Sequence, residues 1–448
     1  MNNLKLFGTD GIRGTVGEYP LTEDMVPKIG YAAASWLVRV NDRPVVLIGR
    51  DTRESGTSFE DLLASGLIAG GAEVKLVGVA PTAALSYLVK EENADLGVVI
   101  SASHNAASDN GIKFFDRMGY KLSDLAEEEI EKIIFEGQLT AEWSPKNKGI
   151  KDNKLSDKYL DFLCKISGLI EKKSSKIVID CANGSVSHFA PKVFGQLTKK
   201  LITLNADPDG TNINHNCGSL YPEIISEAVK ASQADIGFAF DGDGDRVIVV
   251  DEEGKILDGD YQLAIMSIAR LAKDELPNRC LATTHMSNLG LDEALEKFSA
   301  QVLRTNVGDR NVADLMRKEG LSLGGEQSGH VILFDYSNTG DGLITALEFL
   351  KVHLDTGRKV SELADCLSKY PQQLVNIRVK NKTPINEIPG LPERIAHYQD
   401  EFDGRGRIFV RYSGTEPLLR IMIEARDEEL LKQAANDLSE IVNQAIGS

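Results

Sequence analysis

The chain has 448 residues, 42% apolar and 26% charged, with 40 Gly and 14 Pro; at about 100–200 residues per domain it has material for about three cores, and disordered, collagen-like and disulfide-scaffold classes are excluded. Acidic residues outnumber basic ones, 67 to 50, giving a formal charge of −17 at pH 7, which argues against nucleic acid and anionic membranes and for small molecules and cations as partners. MNNLKLFGTDGIRG has no basic flank leading into an apolar stretch, no 18 apolar residues run together, and the five cysteines are scattered without a CxxC pair, so a cytoplasmic protein with reduced thiols is expected.

From the amino end, β-rich runs at 44–50, 73–78 and 96–102 alternate with longer amphipathic stretches, and the polar, aperiodic 140–155 marks a linker. This closes a first α/β domain over residues 1–150. Runs at 176–182, 235–241 and 247–252 build a second over 151–253. A break near Asp251 to Asp258 follows, where an Asp-Gly-Asp turn is expected to cap a helix over 261–273, and a third α/β domain spans 254–368, ending in a helix around 360–368. Beyond it the rhythm changes to VNIRV, a helix near 391–402, RIFVR, LRIMIEA and a terminal helix over 428–445, a βαββα unit over 369–448. The expected fold is three similar mixed-sheet α/β domains followed by a smaller α+β domain, around a central cleft, and units of such similar size suggest duplication. Strands that end in polar residues and run on into helices would place ligand groups at carboxyl strand ends.

The sharpest motif is Asp241-Gly-Asp243-Gly-Asp245-Arg246, directly after IGFAF. Three carboxylates alternating with glycines can bend around one hard cation, whereas an EF-hand reading fails because its sixth position needs glycine and holds Arg246. A haloacid-dehalogenase-type phosphatase, which opens on a similar strand and DxDG, is an alternative. Ser101-Ala-Ser103-His104-Asn105 follows LGVVI and reads either as a nucleophile or as a helix cap, and it lacks the GxSxG of serine hydrolases. Gly324-Gly-Glu326-Gln-Ser328-Gly-His330 is a glycine-rich turn suited to sugar hydroxyl and amino groups. Arg411-Tyr-Ser413-Gly414-Thr415-Glu-Pro-Leu-Leu-Arg420 has the hydroxyls, glycine and guanidiniums of a phosphate cradle, or of a hairpin with surface arginines. Together the four imply chemistry on a phosphosugar between domains.

FGTDGIRG (7–14), SASHN (101–105), DGDGDR (241–246), GGEQSGH (324–330) and RYSGTEP (411–417) resemble, in order and spacing, the motifs of the α-D-phosphohexomutase family over essentially the whole chain. GEQSGH, NINHNCGS (212–219), MSNLGL (286–291) and NVGDR (306–310) resemble the branch acting on amino-sugar phosphates, where phosphomannomutase/phosphoglucomutase relatives typically carry GEMSGH. The resemblance implies interconversion of glucosamine 6-phosphate and glucosamine 1-phosphate for cell-envelope precursors, through a phosphoserine and a bisphosphorylated sugar, with a sugar bisphosphate as activator. Ser103 would carry the phosphoryl group; Asp241, Asp243 and Asp245 would hold Mg²⁺ with an oxygen of that phosphate. Arg13 and Arg246 would neutralise charge, with Lys113 and His330 as acid/base candidates. Glu326 and Ser328 would bind the sugar, and Arg411, Ser413, Gly414, Thr415 and Arg420 the non-reacting phosphate. Four positions depart from the pattern: Ala106 for proline, Tyr412 for proline, Asn311 for tyrosine, and His285 for an apolar residue. A phosphomannomutase/phosphoglucomutase and a non-catalytic phosphosugar-binding paralogue are the alternatives within the family's chemistry.

Overall fold

The apolar runs LGVVI (96–100), IGFAF (236–240) and VIVVD (247–251) are buried along their whole length, as expected where helices cover both faces of a sheet. A computed structural model describes residues 6–8, 10–137, 143–144, 147–171, 175–413 and 417–448. The first domain comprises β1 (Ile12–Thr15), α1 (Met25–Val38), β2 (Val45–Arg50), α2 (Gly56–Ala69), β3 (Glu73–Val79), α3 (Thr82–Glu91), β4 (Leu96–Ile100), β5 (Asp109–Asp116), α4 (Asp124–Glu136) and β6 (Ile150–Lys151), with strand order β1-β5-β4-β2-β3-β6. The second comprises α5 (Asn153–Ser167), β7 (Lys176–Asp180), α6 (Ala190–Leu197), β8 (Lys200–Leu204), α7 (Pro222–Ser232), β9 (Ile236–Phe240), β10 (Val247–Asp251) and β11 (Ile256–Leu257), ordered β11-β10-β9-β7-β8.

The third contains α8 (Gly259–Ala272), β12 (Cys280–Thr284), α9 (Gly290–Glu296), β13 (Gln301–Thr305), α10 (Asp309–Glu319), β14 (Leu323–Gly325), β15 (Val331–Leu333), α11 (Gly342–Thr356) and α12 (Val360–Ala364), ordered β13-β12-β14-β15. The last is β16 (Gln372–Arg378), α13 (Leu391–Glu401), β17 (Gly406–Tyr412), β18 (Leu418–Ala425) and α14 (Glu428–Ile446), an antiparallel sheet ordered β16-β18-β17 with α14 packed on β16 and β18.

One four-stranded pattern recurs three times. Three parallel strands are extended by an antiparallel fourth, giving β5-β4-β2-β3, β10-β9-β7-β8 and β15-β14-β12-β13. SASHN, DGDGDR and GGEQSGH each fill the same place in this pattern, the loop from the third parallel strand to its antiparallel partner. The strand run at 247–252 and the turn between LSL and VILF agree with this arrangement, whereas the general expectation of a helix after a strand that ends in polar residues is corrected at SASHN, whose loop returns through β5 as an antiparallel hairpin. Asp258 is likewise the first residue before α8 but caps nothing with its side chain, which is drawn to Lys369.

The four sheets are tied together around the motif loops. Arg310 Nη2 donates to Glu127 Oε1 at 2.6 Å, joining third and first domains. Val247 N donates to Gly329 O at 3.1 Å, joining second and third. Leu289 N donates to Glu424 Oε1 at 3.0 Å, joining third and fourth. No helix among the described residues is long and apolar enough to cross a membrane.

Candidate active site

β4, buried at all five positions, delivers Ser103 to the carboxyl edge of the first sheet. Its backbone is left-handed, φ 53°, a conformation that costs a non-glycine residue about 1 kcal/mol or more and persists only where the surroundings impose it. Ser103 is 1% exposed, and its Oγ donates to Asp241 Oδ2 at 2.8 Å. His104 Nδ1 lies 3.3 Å from the same hydroxyl oxygen; burial, then the charges of Arg246 and Arg13, push that imidazole down to about 4, leaving it neutral at physiological pH.

Asp241 stands at the end of β9, and the loop to β10 turns through Gly244 at φ 71°, so that Asp241, Asp243 and Asp245 converge. Their ligand atoms lie within 4.8 Å of one another, and all three residues are buried. Burial, then repulsion from Asp245 and Asp243, raises the Asp241 carboxyl well above the carboxylate range. Asp243 goes the other way: burial alone would raise it, but the Lys113 ammonium and hydrogen bonds from Lys113 and Thr82 hold it low. Lys113 Nζ is 2.8 Å from Asp243 Oδ2 and 3.6 Å from Asp245 Oδ2, and Thr82 Oγ1 donates to Asp243 Oδ2 at 2.6 Å. Asp243 Oδ1 and Asp245 Oδ1 are buried without a hydrogen-bond partner. Orphaned carboxylate oxygens turned into one small space, in an all-oxygen donor set, fit a hard divalent cation.

Arg13, Arg246, Lys113 and His330 lie around this loop. Arg13, on β1, reaches Ala102 O at 3.3 Å and pairs with Asp10. Arg246 Nε is 3.8 Å from Asp245 Oδ1, and its backbone N donates to Asp241 Oδ1 at 3.2 Å. His330 Nε2 is 3.3 Å from Asp309 Oδ2 and 3.9 Å from Asp245 Oδ2. The Lys113 ammonium is raised above its ordinary value, because the charges of Asp10, Asp243 and Asp245 outweigh a burial that alone would lower it.

The glycine-rich turn docks beside this cluster: Gly259 N donates to Gln327 O at 2.9 Å and Glu326 N to His330 O at 2.9 Å. Glu326 Oε1 accepts from Gly308 N at 3.1 Å, and Ser328 is exposed. The Glu326 charge acts on both Arg246 and Arg411, which sets it electrostatically between the aspartate loop and the fourth domain. There Arg411 and Arg420 are cross-strand partners on β17 and β18, and burial, then the Arg420 charge, lowers the Arg411 guanidinium. Ser413 is buried, with its carbonyl accepting from Lys382 Nζ at 2.7 Å. Gly414 and Thr415 lie outside the described residues.

Four family models match consecutive parts of the chain: phosphoglucomutase/phosphomannomutase alpha/beta/alpha domain I over residues 4–141, domain II over 157–254, domain III over 258–370, and the C-terminal domain over 374–441. The chain belongs to the phosphoglucomutase/phosphomannomutase family. Membership makes it a phosphomutase enzyme, and the buried triple-aspartate cluster is a group that could hold a metal ion. Relatives named phosphoglucosamine mutase include those of Desulfovibrio desulfuricans, 44% identical, and Solidesulfovibrio magneticus, 45% identical, each alignment covering 99% of both chains. Among solved structures, a phosphoglucomutase/phosphomannomutase family protein from Burkholderia thailandensis aligns with a TM-score of 0.80 at 26% identity, over 98% of this chain and 97% of that one. At 19% identity, Aspergillus fumigatus N-acetylphosphoglucosamine mutase in complex with GlcNAc-6P and magnesium shares the fold, with a TM-score of 0.69 over 100% of this chain and 96% of that one.

Several residues of the site are missing from the sequence reading. Asp10, inside FGTDGIRG, binds Arg13, Lys113 and Lys121; Lys121 and Asp309, inside NVGDR, form the next pair. Asp10 and Asp309 stand in motifs already singled out, whereas Lys121 stands in none. Thr82 carried no signal, since nothing local distinguishes a threonine that opens a helix from one that also binds a carboxylate 161 positions away.

Proposed function

We propose that the protein is a phosphoglucosamine mutase, interconverting glucosamine 6-phosphate and glucosamine 1-phosphate through a phosphorylated Ser103. The observation that carries this reading is the buried Ser103 hydroxyl 2.8 Å from Asp241, in contact with a three-carboxylate loop that only a cation would leave fully satisfied. Full-length relatives bearing that enzyme name support the substrate.

Asp241, Asp243 and Asp245 would hold Mg²⁺, whose charge offsets that of the phosphoryl oxygens. A hydroxyl oxygen of the sugar phosphate attacks phosphorus, the P–Oγ bond to Ser103 breaks, and the hydroxyl proton passes to a basic group of the site. The bisphosphorylated sugar turns end for end, and Ser103 Oγ takes the other phosphoryl group in the reverse of the same step. Such transfer needs positioning and charge neutralisation more than covalent help, and Arg13, Arg246 and Lys113 supply the positive charge around Ser103. Of the two acid/base candidates, His330, whose Nε2 is 3.3 Å from Asp309 Oδ2, would take the proton, whereas Lys113, held charged by Asp10, Asp243 and Asp245, would act through its charge. Glu326 takes the 2-amino group and Ser328 a hydroxyl, while Arg411, Ser413, Gly414, Thr415 and Arg420 grip the phosphate that is not reacting. One cradle serves both orientations because the cradle's arginines read a phosphate and not its ring position. A sugar bisphosphate would reload Ser103 after adventitious loss of its phosphate, and the five free thiols suit a cytoplasmic setting.

The test mixes the pure protein with Mg²⁺, a trace of sugar bisphosphate and, separately, the 6-phosphates of glucosamine, glucose and mannose. Phosphorus NMR follows the anomeric phosphate, and peptide mass spectrometry locates the label. Fastest conversion of the glucosamine substrate with label on Ser103 is expected. Label on Asp241, or full activity in Ser103→Ala, would refute the reading.

A further inference from the structure

The hydroxyl at the centre of this site sits on a backbone that is held largely from outside its own loop. Ser103 is in the left-handed region, and its loop runs through Ala106, where the family pattern has a proline. The loop's own bonds, Asn105 N to Ala102 O and Asp109 N to Ala106 O at 3.1 Å each, leave the Ser103 carbonyl unused, and two side chains with no assigned role secure it from outside the loop.

Arg53, in the β2–α2 connection, is 1% exposed and spends its guanidinium on main-chain carbonyls. Nη2 donates to Ser103 O at 3.0 Å and Asn105 O at 2.8 Å; Nη1 donates to Asp109 O at 2.9 Å and to Ala106 O. Its Nε is neutralised by Asp51 Oδ2 at 2.8 Å. Asp51 also accepts from Ser101 Oγ at 2.6 Å, and Ser101 Oγ accepts from Ser103 N at 2.9 Å. The nucleophile's own N–H and C=O are thus both secured by one buried circuit. The second residue comes from the next domain. Asn214, in NINHNCGS between β8 and α7, donates from Nδ2 to Ser103 O at 2.9 Å and to Asn105 O at 3.0 Å. Gly242 makes room for this crossing: a Cβ there would lie 2.6 Å from Ser103 O and 2.7 Å from Asn214 Nδ2. The Arg53 loop is itself pinned to the second domain, with Thr52 Oγ1 donating to Asn183 O at 2.6 Å and Glu54 N to Gly210 O at 2.9 Å.

We propose that Arg53 and Asn214 are positioning residues for phosphoryl transfer, clamping the Ser103 carbonyl from two domains so that the hydroxyl is presented to the aspartate loop only when those domains are docked. The clamp takes over the stiffening that a proline at position 106 would give. Neither side chain contacts the groups assigned to the sugar, so the clamp acts on the reacting end alone. This inference rests on Ser103 being the phosphorylated residue.

The experiment uses the full chain with Asn214→Ala, Asn214→Asp and Arg53→Lys. Arg53→Lys keeps a charge against Asp51 but cannot reach four carbonyls; should it fail to fold, the Asn214 pair, at a site 7% exposed, carries the test. Intact-mass spectrometry measures the rate at which glucose 1,6-bisphosphate phosphorylates each folded protein, and steady-state assays give kcat and KM. The expected result is a fall of at least about tenfold in kcat and in Ser103 phosphorylation, with KM within about twofold of wild type, and Asn214→Asp, which cannot donate, worse than Asn214→Ala. A purely structural role would lower Tm and the folded fraction while leaving phosphorylation per folded molecule unchanged, and that result overturns the proposal. Failure of the wild-type protein to take label on Ser103 would overturn the phosphoserine reading itself, and the clamp with it.

Discussion

Glu326→Gln tests how the site tells an amino sugar from a neutral one. At neutral pH the 2-amino group of glucosamine phosphate is largely cationic and the 2-hydroxyl of glucose phosphate is not, so a carboxylate offers the first a charge-assisted hydrogen bond of about 1.5–3 kcal/mol, roughly ten- to a hundredfold in kcat/KM. The amide keeps a neutral hydrogen bond of about 0.5–1.5 kcal/mol, so the substitution should remove about 1–1.5 kcal/mol of discrimination, roughly five- to twelvefold. A complication comes from the neighbours: Glu326 also acts on Arg246 and Arg411, and losing its charge strengthens their hold on phosphate. That effect is common to both sugars and cancels in a ratio, so the measured quantity is kcat/KM for glucosamine 6-phosphate divided by that for glucose 6-phosphate, in wild type and variant. Gly308 N, which donates to Glu326 Oε1, finds an equivalent oxygen in glutamine, so the loop should keep its shape. An unchanged ratio, or comparable kcat/KM for both sugars in the wild type, would refute the charge argument.

Asp243→Asn, at the carboxylate bound by Lys113 and Thr82, should lower kcat at least about a hundredfold with little change in KM, since charge at this loop matters most during transfer; steady-state kinetics decide, and a rise in KM alone would contradict it. Mg²⁺ should raise Tm of the chelator-treated protein, because a cation relieves the repulsion that raises Asp241, and saturation at about a hundred times Kd corresponds to about 2.7 kcal/mol; a Tm indifferent to millimolar Mg²⁺ would exclude the site. Asp341, buried at the start of α11, accepts from Tyr159 Oη at 2.6 Å and from Ile344 N at 3.0 Å, and burial raises its carboxyl to about 6. A raised folded-state value means the group's stabilising contribution is complete below about pH 4 and lost as pH rises through 6, so Asp341→Asn should raise Tm at pH 7.5 and leave it nearly unchanged at pH 4, as thermal melts across that range would show.

Continuous apolar runs such as IGFAF and LGVVI made the buried strands β9 and β4 legible, because a strand covered on both faces must be apolar at every position. The βαββα rhythm after residue 369 and the four motif loops were equally local, each a few residues with its own turn and charge chemistry. The partners of those loops were not. That the SASHN loop returns as a hairpin, that Lys113 satisfies Asp243 across 130 positions, and that Arg53 and Asn214 grip the carbonyl of Ser103 all depend on which sheet edges meet. Sequence periodicity reports only whether a residue faces a core or solvent over spacings of two to four. The compensation of a buried charge is set by whichever distant group the docking of domains brings within about 3 Å, and here only the tertiary structure decided that.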